Sequence, residues 1–250
     1  MLFRSNIGFK RLGLTIPPSL PLSGIAHALI DQVAATSPGA AVVGVTLQRH
    51  FDRVLWLWPD ARFIHLVRDG RDVAYATVLA RKAGDLWHGI ADWVESEILW
   101  DRMSHKLPAE RQITVKYENL AGETDHELRR LCEFLGVPFA PDMLQAPLTR
   151  RDELGRWRKA DTAELSAAEH RAARWLLQNG YFLSGTVRPP SIFRRVGLKL
   201  KDRFAVANSR RELLGTKLWI KGAYVSRLGG RKAKARLKRQ QAELLARDED

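Results

Sequence analysis

Arg68-Asp69-Gly70-Arg71-Asp72 brings two guanidiniums, two carboxylates and a glycine into consecutive positions. An apolar, partly β-branched run (Phe63, Ile64, Leu66, Val67) precedes them, and a helical pattern (Val73, Ala74, Ala76, Thr77, Leu79) follows at once. This order predicts a buried strand, a charged turn and a helix N-terminus. An arginine at the carboxyl end of a strand, beside free helix N–H groups, suits a phosphate. Its fork donates bidentate bonds, and the helix dipole favours an anion. A surface turn of any α/β protein can look the same, so this pattern alone leaves the chemistry open.

The elements that must position this turn are legible on both sides of it. Ser23 to Ala35 carries Ile25, Leu29, Ile30 and Val33 at helical spacing, and Ala41 to Val45 reads as a short strand. Phe51 to Trp58 predicts a helix stopped by Pro59, and Trp87 to Met103 a long amphipathic one whose tryptophans belong to core or pocket wall. Gln112 to Tyr117 reads as a strand. Thr124-Asp-His-Glu127 has the form of a capping box opening a helix to Leu135, before Gly136 and Pro138. Asp161 is placed to cap a helix through Leu177 that Gly180 ends. Repeated β–α alternation predicts an α/β domain with a mainly parallel sheet.

Composition narrows the class. The chain has 250 residues, 45% of them hydrophobic, enough for one domain with an appendage. No apolar stretch approaches a membrane span, and the N-terminus lacks a long hydrophobic region of signal-peptide type. The single Cys132 excludes an internal disulfide framework and a multi-cysteine metal site, which makes a reducing cytoplasm the default. The net charge of +13 is uneven: residues 188–250 hold 18 Lys+Arg against 6 Asp+Glu, leaving 23 against 22 for residues 1–187. Pro189-Pro190 marks the change.

Three segments, in order, resemble the sulfotransferases that use 3′-phosphoadenosine 5′-phosphosulfate. FIHLVRDGRDVA is similar to the family's 3′-phosphate-binding motif, which implies that Arg68 grips that phosphate. A serine that usually helps is replaced by Ala76, with Thr77 beside it. VKYENLAGETDHELRRLCEFLGVPF resembles the strand ending in Tyr-Glu and the helix ending in Phe-Leu-Gly; by this resemblance Tyr117 lies near the adenine and Glu118 is structural. RRDELGRWRK, Arg150 to Lys159, resembles a segment that closes over the 3′-phosphate. Gly155, Arg156, Trp157 and Arg158 match its end, and Arg150 or Arg151 its basic start. A doubly charged phosphate enclosed by several guanidinium forks is sound physically, since charge-assisted pairs strengthen as water leaves. The bare alternative is a basic loop before a helix.

The resemblance implies a P-loop-nucleotide-hydrolase-like α/β fold with a parallel sheet, and transfer of a sulfuryl group to a hydroxyl or amine of a small molecule, glycan or lipid. No metal is required. The nucleotide-binding residues would be Arg68, Tyr117, Arg150, Arg151, Gly155 and Arg156. Two family features lack a good copy. The phosphosulfate loop, typically Pro-[Lys/Arg]-Ser-Gly-Thr-Thr, has only a superficial echo in Pro21-Leu22-Ser23-Gly24-Ile25-Ala26. Where relatives carry Lys-Thr-Pro or Lys-Thr-His, the sequence reads Gly44-Val45-Thr46-Leu47, and the nearest imidazole, His50, fits a structural role better. The domain is therefore expected to be N-terminally incomplete, missing its first strand–loop–helix. Either the chain is a truncated enzyme, or it is a complete protein that keeps 3′-phosphoadenosine binding without transfer, and the catalytic residues stay unknown.

The expected organisation is an irregular and helical segment over 1–40, a sulfotransferase-like domain over 41–187 and a basic helical tail over 188–250. In the tail, Phe193, Val196, Leu200 and Phe204 share one helical face, with Arg194, Arg195, Lys199 and Lys201 largely on the other. Leu213 to Leu228 is a second mixed stretch, and Arg231 to Arg239 is almost purely basic. This pattern suits a helix pair packed on the domain, or an anionic membrane surface. Nothing in it reads bases, so specific nucleic-acid binding is not expected. The expected location is cytoplasmic, peripheral on the inner face of the membrane.

Overall fold

The computed structural model describes residues 15, 20–145, 151–185, 187–228, 230, 233–234, 236–237 and 240. Two parallel strands hold the centre of the described structure. β1 (Phe63–Val67) pairs with β2 (Gln112–Lys116) in the register Phe63↔Gln112 through Val67↔Lys116. Parallel pairing needs a crossover. Here it is helical: α3 (Gly70–Leu79), then α4 (Leu86–Gly89), then α5 (Ala91–Ser104). After β2 come α6 (Tyr117–Gly122), α7 (Thr124–Leu135) and α8 (Thr162–Gln178). The result is an α/β fold with a small parallel sheet.

The chain divides into two compact units, residues 46–206 and residues 1–45 with 207–250. The second contains α1 (Leu22–Ala35), which matches the helix predicted over Ser23–Ala35. In the first unit, Val67, Ala74, Leu86, Ile90, Trp93 and Trp157 pack with Leu165, Ala168, Ala172, Trp175 and Leu176. The core thus lies between the carboxyl end of β1, α3–α5 and α8. Gly70 is required there, because a Cβ would meet the Trp93 ring at 2.5 Å.

Four expectations are corrected. Ala41 to Val45 is not a strand: Val42 and Val45 are 47% and 55% exposed and pair with no strand among the described residues. A β-branched run lacking a ladder to join stays irregular. The helix predicted over Phe51–Trp58 is a 3₁₀ turn, Phe51–Arg53, running into α2 (Val54–Leu57). The long helix predicted from Trp87 is interrupted at Ile90 between α4 and α5. The capping box at Thr124 does not form. Its hydroxyl donates to the Leu120 carbonyl at 2.8 Å, while the Glu127 N–H reaches the Glu123 carbonyl and the Glu127 carboxylate pairs with Arg130. Because α6 runs almost directly into α7, its last carbonyls are at hand and Thr124 back-bonds along the chain. The cap at Asp161 does form, accepting from Ala163 N and Glu164 N at 3.0 and 2.9 Å.

The two helical stretches expected in the tail are one helix, α9 (Ile192–Leu228). Most of Arg231 to Arg239 lies outside the described residues.

Candidate functional site

β1 delivers Arg68 at its carboxyl end, and Asp69 caps α3 by accepting from the Arg71 N–H at 2.9 Å. The Arg68 side chain is 18% exposed. Its Nη2 donates to the Glu153 carbonyl at 2.8 Å, with the Glu153 carboxylate 3.7 Å from Nη1 and that of Asp72 3.9 Å from Nη2. Its Nε is buried and makes no hydrogen bond among the described residues. Such a donor is costly in a dry site unless something fills it. The Tyr117 ring, at the start of α6, lies 4.9 Å from the Arg68 guanidinium carbon.

Beside Arg68 opens a cavity of about 330 Å³, lined by Arg68, Asp72, Tyr75, Ala76, Leu79, Ala80, Glu153 and Arg156. One wall is a stripe of α3, since Asp72, Tyr75, Ala76, Leu79 and Ala80 recur every three to four residues. The other wall is the segment from Glu153 to Arg156. Asp72 fastens that segment: its Oδ2 accepts from Gly155 N at 2.7 Å and its Oδ1 from Trp157 N at 3.1 Å. Gly155 turns there with φ +70°, in the left-handed region that suits glycine. Trp157 then enters the core, and Arg156, held to Asp152 at 2.6 Å, stays on the cavity.

Arg71 points the other way and is buried. Its Nε and Nη2 donate to Asp69, and its Nη1 to Glu169 at 2.6 Å and to the Phe182 carbonyl at 3.0 Å. It stacks on Trp157 with its guanidinium carbon 3.8 Å from the ring centroid. Burial pulls its pKa down, but the hydrogen bonds and attraction from Asp69 and Glu169 outweigh this and raise it. Glu169 also accepts from the backbone and hydroxyl of Ser184 at 3.0 and 2.9 Å. Glu118 ties the turn to the rest of the fold, accepting from Asp69 N at 2.9 Å and from the Tyr181 hydroxyl at 2.8 Å. Burial first, and the Glu118 carboxylate second, push the Tyr181 phenol pKa far up.

Of the residues read from the sequence, the structure brings Arg68 and Arg156 to this cavity, with Gly155 in the turn before Arg156 and Tyr117 against Arg68, both outside the lining. Arg151 belongs to a 3₁₀ turn, Arg151–Glu153, and Arg150 lies outside the described residues. Sequence reading passed over Asp72, Tyr75 and Glu153. Helical spacing from Arg68 could have found the first two. Ala76 does stand on the cavity, and the neighbouring Thr77 does not replace the serine, because its hydroxyl donates to the Val73 carbonyl at 2.8 Å.

The profile of the Sulfotransferase family matches residues 20–141, a span that includes β1, the Arg68 turn and Tyr117. The chain is also 28% identical over 95 residues to a Caenorhabditis elegans protein named "Putative protein-tyrosine sulfotransferase". That match covers 36% of this chain and 36% of the worm protein, so the chain spans about a third of its relative's length. Both matches are to sulfotransferases, which is what the chain is similar to over this span.

Proposed function

We propose that this chain binds 3′-phosphoadenosine 5′-phosphosulfate and transfers its sulfuryl group to a hydroxyl or amine. The observation that carries the reading is the meeting of Arg68 and Arg156 on one cavity at the carboxyl end of β1, with no hydrogen-bond partner for the Arg68 Nε among the described residues. Two guanidiniums suit the doubly charged 3′-phosphate. With Ala76 in place of the serine and Thr77 occupied, recognition of that phosphate falls to the arginines alone. Gly155 sets the turn that presents Arg156, and Tyr117 backs Arg68 on the side where the adenine would lie. In the sequence, Arg150 and Arg151 directly precede the segment that would close over the phosphate.

In the reaction, the acceptor oxygen or nitrogen bonds to sulfur as the bond from sulfur to the 5′-phosphate oxygen breaks. The acceptor's proton passes to a base, and adenosine 3′,5′-bisphosphate leaves. The demands are in-line positioning and stabilisation of charge on the leaving phosphate, so no metal is part of the reading. Acceptors to try are phenols, amines, glycans and lipids, with a protein tyrosine among them because of the relative's name. The same reading places the chain in the cytoplasm, at the inner face of a membrane.

A specific observation favours a second reading, in which the chain keeps nucleotide binding without transfer. Pro21-Leu22-Ser23-Gly24 forms the start of α1 with no basic side chain, and Gly44-Val45-Thr46-Leu47 supplies no lysine. Incubation with sulfur-labelled donor and the acceptor panel separates the two. Labelled product with release of the bisphosphate supports the enzyme. Bisphosphate binding without product supports the second reading, and neither result contradicts both.

A further inference from the structure

The first turns of α9, Ile192 to Val206, have two distinct sides. One side packs on the body of the same unit. Leu198 is buried, Asp202 Oδ1 accepts from Gly84 N at 2.8 Å, Lys201 pairs with Glu164, and Arg194 lies 3.8 Å from Asp161. At 3.6 residues per turn, Phe193, Val196, Leu200 and Phe204 fall together on the side opposite Leu198 and Asp202. They are 90%, 55%, 54% and 78% exposed, and Ile192 beside them is 77% exposed. An amphipathic helix ordinarily turns its apolar stripe to the core. Here the contacts at Leu198 and Asp202 turn it outward. One border of the stripe is basic and exposed, with Lys199 and Arg203; the other carries Arg194 and Lys201, which are also exposed but share their charge with Asp161 and Glu164 on the body.

We infer that this face docks on an anionic lipid surface. Phe193 and Phe204 would enter the boundary between headgroups and acyl chains, with the bordering cations at the headgroup phosphates. Charge complementarity selects this occupant: residues 188–206 carry 6 Lys+Arg against 1 Asp+Glu, and each cation near an anionic leaflet adds attraction. A second copy of the same face would set these cations against one another, which disfavours a symmetric pair. Among the described residues no helix is long and apolar enough to cross a membrane, so the helix lies on the surface. The inference does not depend on the nucleotide cavity.

The test is cosedimentation of the full chain with phosphatidylcholine vesicles and with vesicles containing phosphatidylglycerol, beside the F193S/F204S variant. Both replaced side chains point outward, so the variant should melt with the parent, which a thermal scan checks. The parent should bind the anionic vesicles and release them as salt rises. The variant should bind them at least about tenfold more weakly, since two rings leave the interface. Three results would overturn the inference. The first is equal partition of the parent between neutral and anionic vesicles. The second is binding of the variant as tight as that of the parent, which means that the tail acts by charge alone. The third is a parent dimeric by sedimentation and a variant monomeric, with neither binding vesicles.

Discussion

Arg68 and Arg71 leave the same turn with the same side chain, each beside two carboxylates, and end with their donors matched to different degrees. Arg71 is buried, and its donors go to Asp69, Glu169 and the Phe182 carbonyl, with Trp157 beneath it. Arg68 has one close acceptor, the Glu153 carbonyl, two carboxylates at 3.7 and 3.9 Å, and a buried Nε without a partner among the described residues. A guanidinium whose donors are matched by fixed protein acceptors is structural, whatever its place in a motif. One that lines a cavity with a donor unmatched among the described residues is the candidate for contact with a ligand.

The largest effect expected from this contrast is on stability. Arg71→Ala leaves the Asp69 and Glu169 carboxylates buried without their shared cation, and breaking a buried pair in this way costs about 3–5 kcal/mol. Urea denaturation should show that loss, whereas Arg68→Ala should shift the midpoint far less. In binding the order reverses. Arg68→Ala removes charge-assisted hydrogen bonds worth about 1.5–3 kcal/mol, so affinity for adenosine 3′,5′-bisphosphate should fall roughly 10- to 100-fold by calorimetry.

Smaller effects sharpen the same comparison. Asp72→Asn can accept only one of the two N–H bonds from Gly155 and Trp157 in the same manner, and should cost about 1–2 kcal/mol of stability while weakening nucleotide binding. Tyr181→Phe removes the bond to Glu118 for about 1 kcal/mol. Because the native state holds the phenolic proton that an ordinary tyrosine releases near pH 10.0, this part of the stability is complete below that pH and declines as pH rises above it. Tyr181→Phe should therefore flatten the alkaline limb of a stability–pH curve. Smallest of all, Glu153→Gln lifts a carboxylate from beside Arg68 and should tighten bisphosphate binding by about two- to fivefold, in line with a partly exposed pair.

Local features were legible in the sequence for local reasons. The apolar run of β1, the strand before Tyr117 and the cap at Asp161 each depend on neighbours within a few residues. Arg68 and Arg156 could be named because their motif contexts were distinctive. What stayed illegible rests on distant partners. Nothing near Arg71 announces Glu169, and nothing near Asp72 announces that its carboxylate binds the backbone at Gly155 and Trp157. Ala41–Val45 and Thr124 mark the converse failure. The first had strand-forming residues without a strand to pair with, and the second had capping residues where the preceding helix left carbonyls in reach. The outward turn of Phe193 and Phe204 was equally hidden, since helical spacing groups residues on a face but does not say which face meets the body.

The central claim is that Arg68 is kept incomplete for a 3′-phosphate. The most direct test is calorimetric titration of the parent chain and Arg68→Ala with adenosine 3′,5′-bisphosphate and, separately, with adenosine 5′-phosphate. The account predicts that the parent prefers the bisphosphate and that Arg68→Ala loses this preference while remaining folded. Equal binding of the two nucleotides by the parent, or an unchanged preference in Arg68→Ala, would contradict it.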